Sequence, residues 1–433
     1  MHQTIYCSVE PWDSILGYHR PNGTSKTWNF KEDQKPSILN TVTDDIFDCT
    51  EEEYKATMWV NNLGGSTTPL EIHEIEDKKH LYIIRVLNAG YFFDNLNQGF
   101  SSISPKVLGD VKEGKAKIVL EITSEPKYMK LYGTEYDVIE RWRIKESLPE
   151  LSVAVISGNL KVKELVKRKN LKLVLYSSST FLNFFGLPGD EWYSMPDRIV
   201  HYNPEMRKGR NLFLSYNRNP RYHRVELGYR LFERKLLDLG QVSLQFEKKY
   251  FVEDARKKGW VKSGRYFVQG PRLIDRPLDT NFASDITLPD YEATFCSLVT
   301  ETSTDNECLF FSEKTWKPIA IGHPFILLSS PGSLKWLKDN GYKTFDRWWD
   351  ESYDNETNVS KRTNMIVDVI SQLSRKTSGD LEGIRAEMKE VLVHNRKRYL
   401  EQYYESAVDT GDNSYMNQLN IYEHLKDIYS SIE

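Results

Sequence analysis

Residues 211–246 read NLFLSYNRNPRYHRVELGYRLFERKLLDLGQVSLQF, and this segment contains a complete strand–helix–strand unit. The apolar run at 211–216 predicts a strand, and the amphipathic segment at 222–239 predicts a helix. Pro220 lies near the first turn of that helix, where proline is favoured, and residues 241–246 predict the next strand. The later elements of the series are predicted at 293–300, 312–321, 324–329 and 333–340. Short apolar strands that alternate with helices are typical of an α/β fold with parallel sheets.

The first half of the chain shows the same alternation, so the sequence predicts two α/β domains. Strands are predicted there at 81–87, 117–122, 151–157 and 171–177. A segment at 186–210 that is rich in Pro, Gly and charge predicts the connection between the domains. We therefore expect two Rossmann-like lobes with a cleft between them, an N-terminal domain at 1–208 and a C-terminal domain at 209–433.

The end of the second domain is predicted to be helical. Apolar residues recur there on one helical face, at Leu381, Ile384, Met388, Leu392 and Tyr399. Asp380 precedes this face and is a suitable N-cap. The simplest interpretation of the apolar face is a helix that packs on the core of the second domain.

The composition excludes several classes of protein. Of the 433 residues, 58 are Lys or Arg and 62 are Asp or Glu, so the net charge is −4, and 12% are aromatic. This balance argues against a disordered chain and against a general nucleic-acid coat or polybasic membrane binder. Four scattered cysteines argue against a disulfide scaffold or a structural zinc site. With no signal-peptide pattern and no apolar run long enough to span a membrane, the sequence predicts a cytoplasmic protein.

The segment 306–328, NECLFFSEKTWKPIAIGHPFILL, contains the strongest candidate for a binding site. A strand is followed by a helix start that bears Glu313, Lys314 and Lys317. Helix N-termini with nearby lysines bind phosphate, and a carboxylate beside them can accept the hydroxyl protons of a ribose. The segment therefore predicts a nucleotide site, and the alternative is a capped surface helix with an exposed Glu–Lys pair.

The sequence also predicts where this helix begins and ends. Pro318 is tolerated if Thr315 is the N-cap, because the first N–H groups of a helix have no partner within it. Gly322 is predicted to end the helix.

A second candidate site lies at the junction between the strand and the helix of the segment 211–246. Basic residues cluster there, at Arg218, Arg221, His223 and Arg224. A guanidinium group can donate two hydrogen bonds to two oxygens of one phosphate. Cations at the positive end of a helix dipole are also unfavourable unless an anion binds there. The cluster therefore predicts a diphosphate site, and the alternative is pairing with Glu226 or Glu233.

Two stretches, NRNPRYHRVELGYRLFERKLLDLGQVSL (217–244) and LVTETSTDNECLFFSEKTWKPIAIGHPFIL (298–327), show a resemblance to a known family. The C-terminal domain resembles the donor-sugar lobe of GT-B glycosyltransferases, especially the family 10 fucosyltransferase-like and exostosin-like groups. It is also similar to uncharacterised transferases of bacteriophages and marine bacteria, which would place the protein in the host cytoplasm if a phage encodes it. The first domain shows no such resemblance.

The resemblance implies a function and a set of roles. It implies a transferase that uses a nucleotide-diphosphate sugar as donor and needs no metal or other cofactor. Glu313 would bind the donor ribose, and Arg218, Arg221 and Lys314 would bind the phosphates. Glu301, which follows a predicted strand, would face the donor sugar or nucleotide. Arg224 and Lys317 belong to the two basic clusters that we predict around the same ligand.

An inverting transferase also requires a base that takes the proton of the acceptor hydroxyl. Glu125 follows the strand at 117–122 and is the first candidate, and Asp13 in the N-terminal segment is the second. The ordinary interpretation of each is a solvated carboxylate or a helix cap. A retaining mechanism needs no such base, and the sequence is compatible with both.

The acceptor is predicted to be a glycan, a small molecule or a modified DNA base. The DNA alternative comes from a basic stretch at 161–172, KVKELVKRKNLK, with aromatic residues at 91–93 and 192–193 that could surround a flipped base. The ordinary interpretation of the basic stretch is a solvated helix face. A protein that binds a nucleotide or carbohydrate without catalysis is the alternative to an enzyme.

Overall fold

The computed structural model describes residues 5–9, 67–71, 78–85, 103, 105–122, 134–162, 170–175, 211–217, 221–244, 286–404 and 427–432. These residues form two compact units. The first unit contains the described residues up to 175 together with 427–432, and the second contains those from 211 to 404. The predicted boundary near residue 208 lies outside the described residues. The predicted α/β class with parallel sheets is confirmed.

The first unit contains a six-stranded sheet in which every strand pair is parallel. Its strands are β1 (Ile5–Val9), β2 (Thr67–Glu71), β3 (His80–Arg85), β4 (Ala116–Ile122), β5 (Val153–Ser157) and β6 (Lys172–Leu175), in the order β2-β1-β3-β4-β5-β6. Helix α1 (Pro105–Lys112) precedes β4, and α2 (Thr134–Lys145) follows it. The predicted strands from 81 to 177 are found within a few residues of their expected bounds. Strand β2 is an element that the sequence pattern did not predict.

The last described residues belong to the first unit, although we expected the whole C-terminal tail in the second domain. Ile428 and Ile432 are buried there. Lys79 Nζ donates to the carbonyl of Ile432 at 2.9 Å, and Tyr429 Oη donates to the carbonyl of Lys79 at 3.1 Å. The tail therefore adds apolar contacts and hydrogen bonds to the unit that begins the chain.

The second unit contains a four-stranded parallel sheet. Its strands are β7 (Phe213–Asn217), β8 (Gly240–Leu244), β9 (Cys296–Thr300) and β10 (Phe325–Leu328), in the order β10-β9-β7-β8. The chain runs outward from β7 to β8 and then returns to the other side of β7 to form β9 and β10. The strand order therefore reverses between β7 and β9, and in open α/β sheets such a point forms a crevice at the carboxyl ends of the strands.

Helices connect and cover these strands. They are α3 (Tyr222–Glu233), α4 (Leu288–Glu292), α5 (Glu313–Ile321), α6 (Ser333–Asp339), α7 (Val359–Leu373), α8 (Ser378–Glu387) and α9 (Lys389–Tyr404). Helices α3, α5 and α6 each follow a strand, so their N-termini lie at the carboxyl edge of the sheet. Gly240 starts β8 because a Cβ atom there would lie 2.3 Å from the buried ring of Phe213.

Helix α5 lies where the sequence predicts it, within 312–321, but its cap differs from the predicted one. Its N-cap is Ser312, whose side chain accepts a hydrogen bond from the N–H of Lys314, so the prediction of Thr315 as N-cap is wrong. Pro318 lies inside the helix. Gly322 ends the helix in the left-handed conformation, with φ of 77°, which confirms the predicted terminus.

The C-terminal apolar face spans two helices, α8 and α9. Leu381, Met388, Leu392 and Tyr399 are buried and Ile384 is partly buried, so the interpretation as core is confirmed for four of the five residues. The predicted N-cap is wrong: Thr377 caps α8, and Asp380 is the third helical residue, whose side chain accepts from the N–H of Thr377. The two residues form a capping box, in which each side chain binds the main chain of the other.

Thr377→Ala should lower the free energy of unfolding by about 1 kcal/mol, because the N–H of Asp380 loses its acceptor. Urea denaturation followed by circular dichroism measures this change. Thr377→Ser keeps the acceptor oxygen and serves as the control. A Ser variant as unstable as the Ala variant would contradict the assignment of the cap.

Candidate functional site

The candidate site lies at the carboxyl ends of β7 and β9, where the starts of α3 and α5 meet at Glu301. The main-chain carbonyl of Glu301 is 2.9 Å from Nε2 of His223 and accepts from Nη2 of Arg224 at 3.3 Å. Its carboxylate accepts from the N–H of Ser312 at 2.9 Å and from Oγ of Ser312 at 2.7 Å. Thr315 donates a further hydrogen bond to this carboxylate. A single residue therefore binds both helix starts.

A chain of buried polar groups joins β7 to β9 beneath this junction. Thr300 donates to Oδ1 of Asn217, whose Nδ2 donates to Oγ of Ser215 at 2.9 Å. Ser215 in turn donates to the carbonyl of Leu298 at 2.9 Å. These side chains are buried, and their mutual hydrogen bonds fix the two strand ends that position the helices.

The start of α5 presents an acidic residue and two basic residues. The Nζ atom of Lys314 lies 2.6 Å from Oε1 of Glu313, and 15% of the Glu313 side chain is exposed. Burial raises the pKa of Glu313, but the hydrogen-bonded Lys314 and the nearby Lys317 outweigh it, so the pKa lies below its ordinary value. Glu313 is therefore an ionised acceptor at physiological pH. A carboxylate of this kind can accept two hydroxyl hydrogens from a diol.

The start of α3 differs from the other helix starts at this edge. Ser312 caps α5, and the carboxylate of Asp354 accepts from the N–H groups of Leu334 and Lys335 at 2.9 and 3.0 Å at the start of α6. Among the described residues of α3, the first turn contains no acidic side chain, and the N-cap, Arg221, makes no side-chain capping bond. The helix dipole and this basic residue together favour a negatively charged ligand.

His223 is neutral at physiological pH. Burial and the charges of Arg224, Arg221 and Arg362 lower its pKa to about 3, despite the opposing contact with the carbonyl of Glu301. A neutral ring whose Nε2 carries the hydrogen can donate it to that carbonyl. His223 therefore anchors the start of α3 to the end of β9 and contributes no charge to the site.

His223 should make the protein less stable as the pH falls. Its pKa is about 3 in the folded state and about 6.5 when unfolded, so below pH 6.5 the unfolded chain binds the extra proton. The contribution of His223 to the free energy of unfolding is complete above pH 6.5. Below that pH it falls by about 1.4 kcal/mol per pH unit. Urea denaturation at pH 7, 6 and 5 should show a shallower decline for His223→Gln. His394→Gln, at a partly exposed histidine, is the control, and parallel curves for wild type and His223→Gln would contradict the prediction.

Two of the predicted ligand residues are interior residues. Glu301 is 0% exposed and Arg224 is 2% exposed. Arg224 donates through Nη2 to the carbonyls of Thr300 and Glu301, at 3.1 and 3.3 Å. The Glu301 carboxylate contacts Ser312 and Thr315, and the Arg224 guanidinium contacts main-chain carbonyls, so both side chains position the helix starts. The reason is that α3 and α5 cover the sheet, so the residues that face it are buried whatever their charge.

The other predicted residues divide into two groups. Arg221, Glu313, Lys314 and Lys317 are partly exposed at the two helix starts. Arg218, Glu125 and Asp13 lie outside the described residues, as do 91–93, 192–193 and most of the basic stretch 161–172. The sequence analysis missed Ser312, although a serine directly before an acidic helix start is a common cap. It also missed Arg362, for which no local pattern exists.

Two kinds of feature are absent from the described ranges. None of their helices combines the length and apolar composition that a membrane crossing requires. No group of three or more His, Cys, Asp or Glu residues in those ranges is arranged to hold a metal ion.

Comparison with known proteins adds no family. No family model matches the chain, and no curated protein shows significant sequence similarity to it. The resemblance of residues 217–244 and 298–327 to GT-B glycosyltransferases therefore stays a prediction.

Proposed function

We propose that the carboxyl edge of the second sheet binds a nucleotide, and that the protein is a glycosyltransferase that uses a nucleotide-sugar donor. The observation on which this rests is the meeting of α3 and α5 at Glu301. It brings a helix start whose described first turn contains no acidic residue next to a helix start with an ionised glutamate and two lysines. In parallel α/β sheets such a crevice is the usual position of a nucleotide.

The diphosphate of the donor is assigned to the start of α3. Its N–H groups and Arg221 would provide hydrogen-bond donors and positive charge, and Lys314 at the start of α5 would add a second cation. Arg218 is proposed as a further phosphate ligand because it precedes this helix in sequence. The ligand would supply the negative charge that α5 and α6 obtain from their own carboxylates.

The ribose of the donor is assigned to Glu313. Its carboxylate is ionised, partly exposed and held by Lys314, so its position is fixed before the ligand arrives. Two vicinal hydroxyl groups can donate to the two oxygens of one carboxylate, and hydrogen bonds to charged groups are the stronger kind.

The proposed reaction follows from these positions. The acceptor oxygen attacks the anomeric carbon of the donor while the bond from that carbon to the diphosphate oxygen breaks. The cations at the starts of α3 and α5 neutralise the departing diphosphate, a role that a metal ion would otherwise fill. The proton of the acceptor hydroxyl passes to a base if the reaction inverts, for which Glu125 and Asp13 stay the candidates.

The finer description of the fold is part of this proposal. Both sheets are parallel, and both reverse their strand order next to their first strand, at β1 and β3 and at β7 and β9. These orders support two Rossmann-like lobes of the GT-B type.

A thermal-shift panel of nucleoside diphosphates and their sugars tests the proposal. A ligand that binds only the folded protein stabilises it by about 2.7 kcal/mol at a hundredfold excess over its Kd. One nucleotide and its sugar should raise the Tm, and the sugar should then be released slowly in water without an acceptor. Binding without any turnover would favour a non-catalytic protein. No shift with any member of the panel would contradict nucleotide binding itself.

A further inference from the structure

Arg362 is a buried cation close to the proposed anion site. It belongs to α7 and is 1% exposed. Its Nη2 donates to the carbonyl of Thr304 at 2.8 Å, and its Nη1 donates to the carbonyl of Glu356. Both hydrogen bonds run to main-chain carbonyls, so neither cancels the charge of the guanidinium. Burying such a charge is costly unless it is paired with an opposite charge and hydrogen-bonded.

The position of Arg362 is fixed by the packing of α7 along α3. Ser360 donates to Glu226 at 3.0 Å, and Arg234 forms an ion pair with Asp368. Both contacts join residues 134 positions apart, so the two helices run in the same direction and begin at the same edge of the sheet. In this register Arg362 is level with Gly228, in the second turn of α3, and its guanidinium reaches the loop after β9 at Thr304.

Two observations connect Arg362 with the proposed site. Thr304, which it holds, belongs to the loop between β9 and α5, three residues after Glu301. Its charge also acts on His223, together with the charges of Arg224 and Arg221. The acidic groups that attract Arg362 are Asp354, which already accepts two N–H groups of α6, and Glu356.

We propose that Arg362 is a positioning residue of the anion site: it holds the loop 302–307 beside the start of α3 and adds a positive charge behind that helix start. The inference rests on the proposed function, because it assumes that a diphosphate binds there. It does not place Arg362 in contact with the ligand. The position of the loop 302–307 and the electrostatic potential at the anion site would then both depend on Arg362.

Isothermal calorimetry with inorganic pyrophosphate as the probe tests this inference on the full chain. Arg362→Gln should weaken binding about 5- to 20-fold, since one charge acts on a polyanion across a partly buried site. Arg362→Lys keeps the charge but cannot make both hydrogen bonds, to the carbonyls of Thr304 and Glu356, in the same geometry. It should weaken binding only about 2- to 4-fold. Lys361→Gln is the matched control, because it removes the same charge from the adjacent, exposed position.

The pKa of His223, measured by NMR, provides a readout that a merely structural role would not move. It should rise in Arg362→Gln and stay unchanged in Arg362→Lys and in Lys361→Gln. If Arg362→Gln binds pyrophosphate like wild type, the inference is wrong while the proposed function survives. If Gln and Lys variants lose affinity equally and the pKa of His223 does not change, Arg362 is a structural residue only. If wild type binds neither pyrophosphate nor any nucleoside diphosphate, the proposed function fails, and the inference fails with it.

Discussion

Replacing Glu313 by glutamine should lower kcat/KM for the donor about 30- to 1000-fold and leave the fold intact. The carboxylate is proposed to accept two ribose hydroxyl groups, and each hydrogen bond to a charged acceptor contributes about 1.5–3 kcal/mol. Glutamine keeps the size of the side chain but replaces one acceptor oxygen by a donor. Because glutamine keeps one oxygen that can accept from Lys314, the free energy of unfolding should change by less than about 1 kcal/mol.

Steady-state kinetics and calorimetry with the nucleoside diphosphate measure this effect. Glu307→Gln is the matched control, because it changes an exposed glutamate six residues earlier in the same segment. The two variants should be equally stable, and only Glu313→Gln should bind the nucleotide more weakly. If Glu313→Gln bound the nucleotide as tightly as wild type, the assignment of the ribose to Glu313 would be wrong.

The architecture of the second unit follows from local patterns in the sequence. Strands β7, β9 and β10 are short apolar runs, and each is followed by a segment with helical periodicity, so their order along the chain could be predicted. The end of α5 was equally predictable, because Gly322 suits a left-handed terminus. Each of these predictions depends only on neighbouring residues.

The direction of the charged side chains could not be predicted in the same way. Glu301 turns inward because Ser312 and Thr315 offer it hydrogen bonds, and these residues follow 11 and 14 positions later. Arg224 is buried because the carbonyls of Thr300 and Glu301, at the end of β9, accept from it. Charge suggested that these side chains are exposed, but tertiary contacts decided otherwise.

The choice of caps illustrates the same limit on a smaller scale. Thr377 and Asp380 are both suitable N-cap residues three positions apart, and the sequence does not distinguish a cap from the acidic partner in a capping box. Similarly, Ser312 and Thr315 both suit the start of α5, and only the structure shows that Ser312 is the cap while Thr315 binds Glu301.

Glu301 and Glu313 are twelve positions apart, and their substitutions should affect different properties of the protein. Glu301 is fully buried and accepts from the start of α5, whereas Glu313 is partly exposed and pairs with the adjacent Lys314. Stability should therefore depend on Glu301, and ligand binding should depend on Glu313. Glu307, midway between them and exposed, should affect neither.

Glu301→Ala should lower the free energy of unfolding by about 3–5 kcal/mol, because buried donors of Ser312 and Thr315 lose their acceptor together. Glu301→Gln should cost about 1–3 kcal/mol, since one amide group cannot accept on both sides as the carboxylate does. Urea denaturation measures both, with Glu307→Ala as the control. Combining Glu301→Gln with Ser312→Ala should cost less than the sum of the two single changes, because the second removes a contact that the first has already weakened. An additive pair, or a Glu301→Ala variant as stable as wild type, would show that the Glu301 carboxylate does not hold the start of α5.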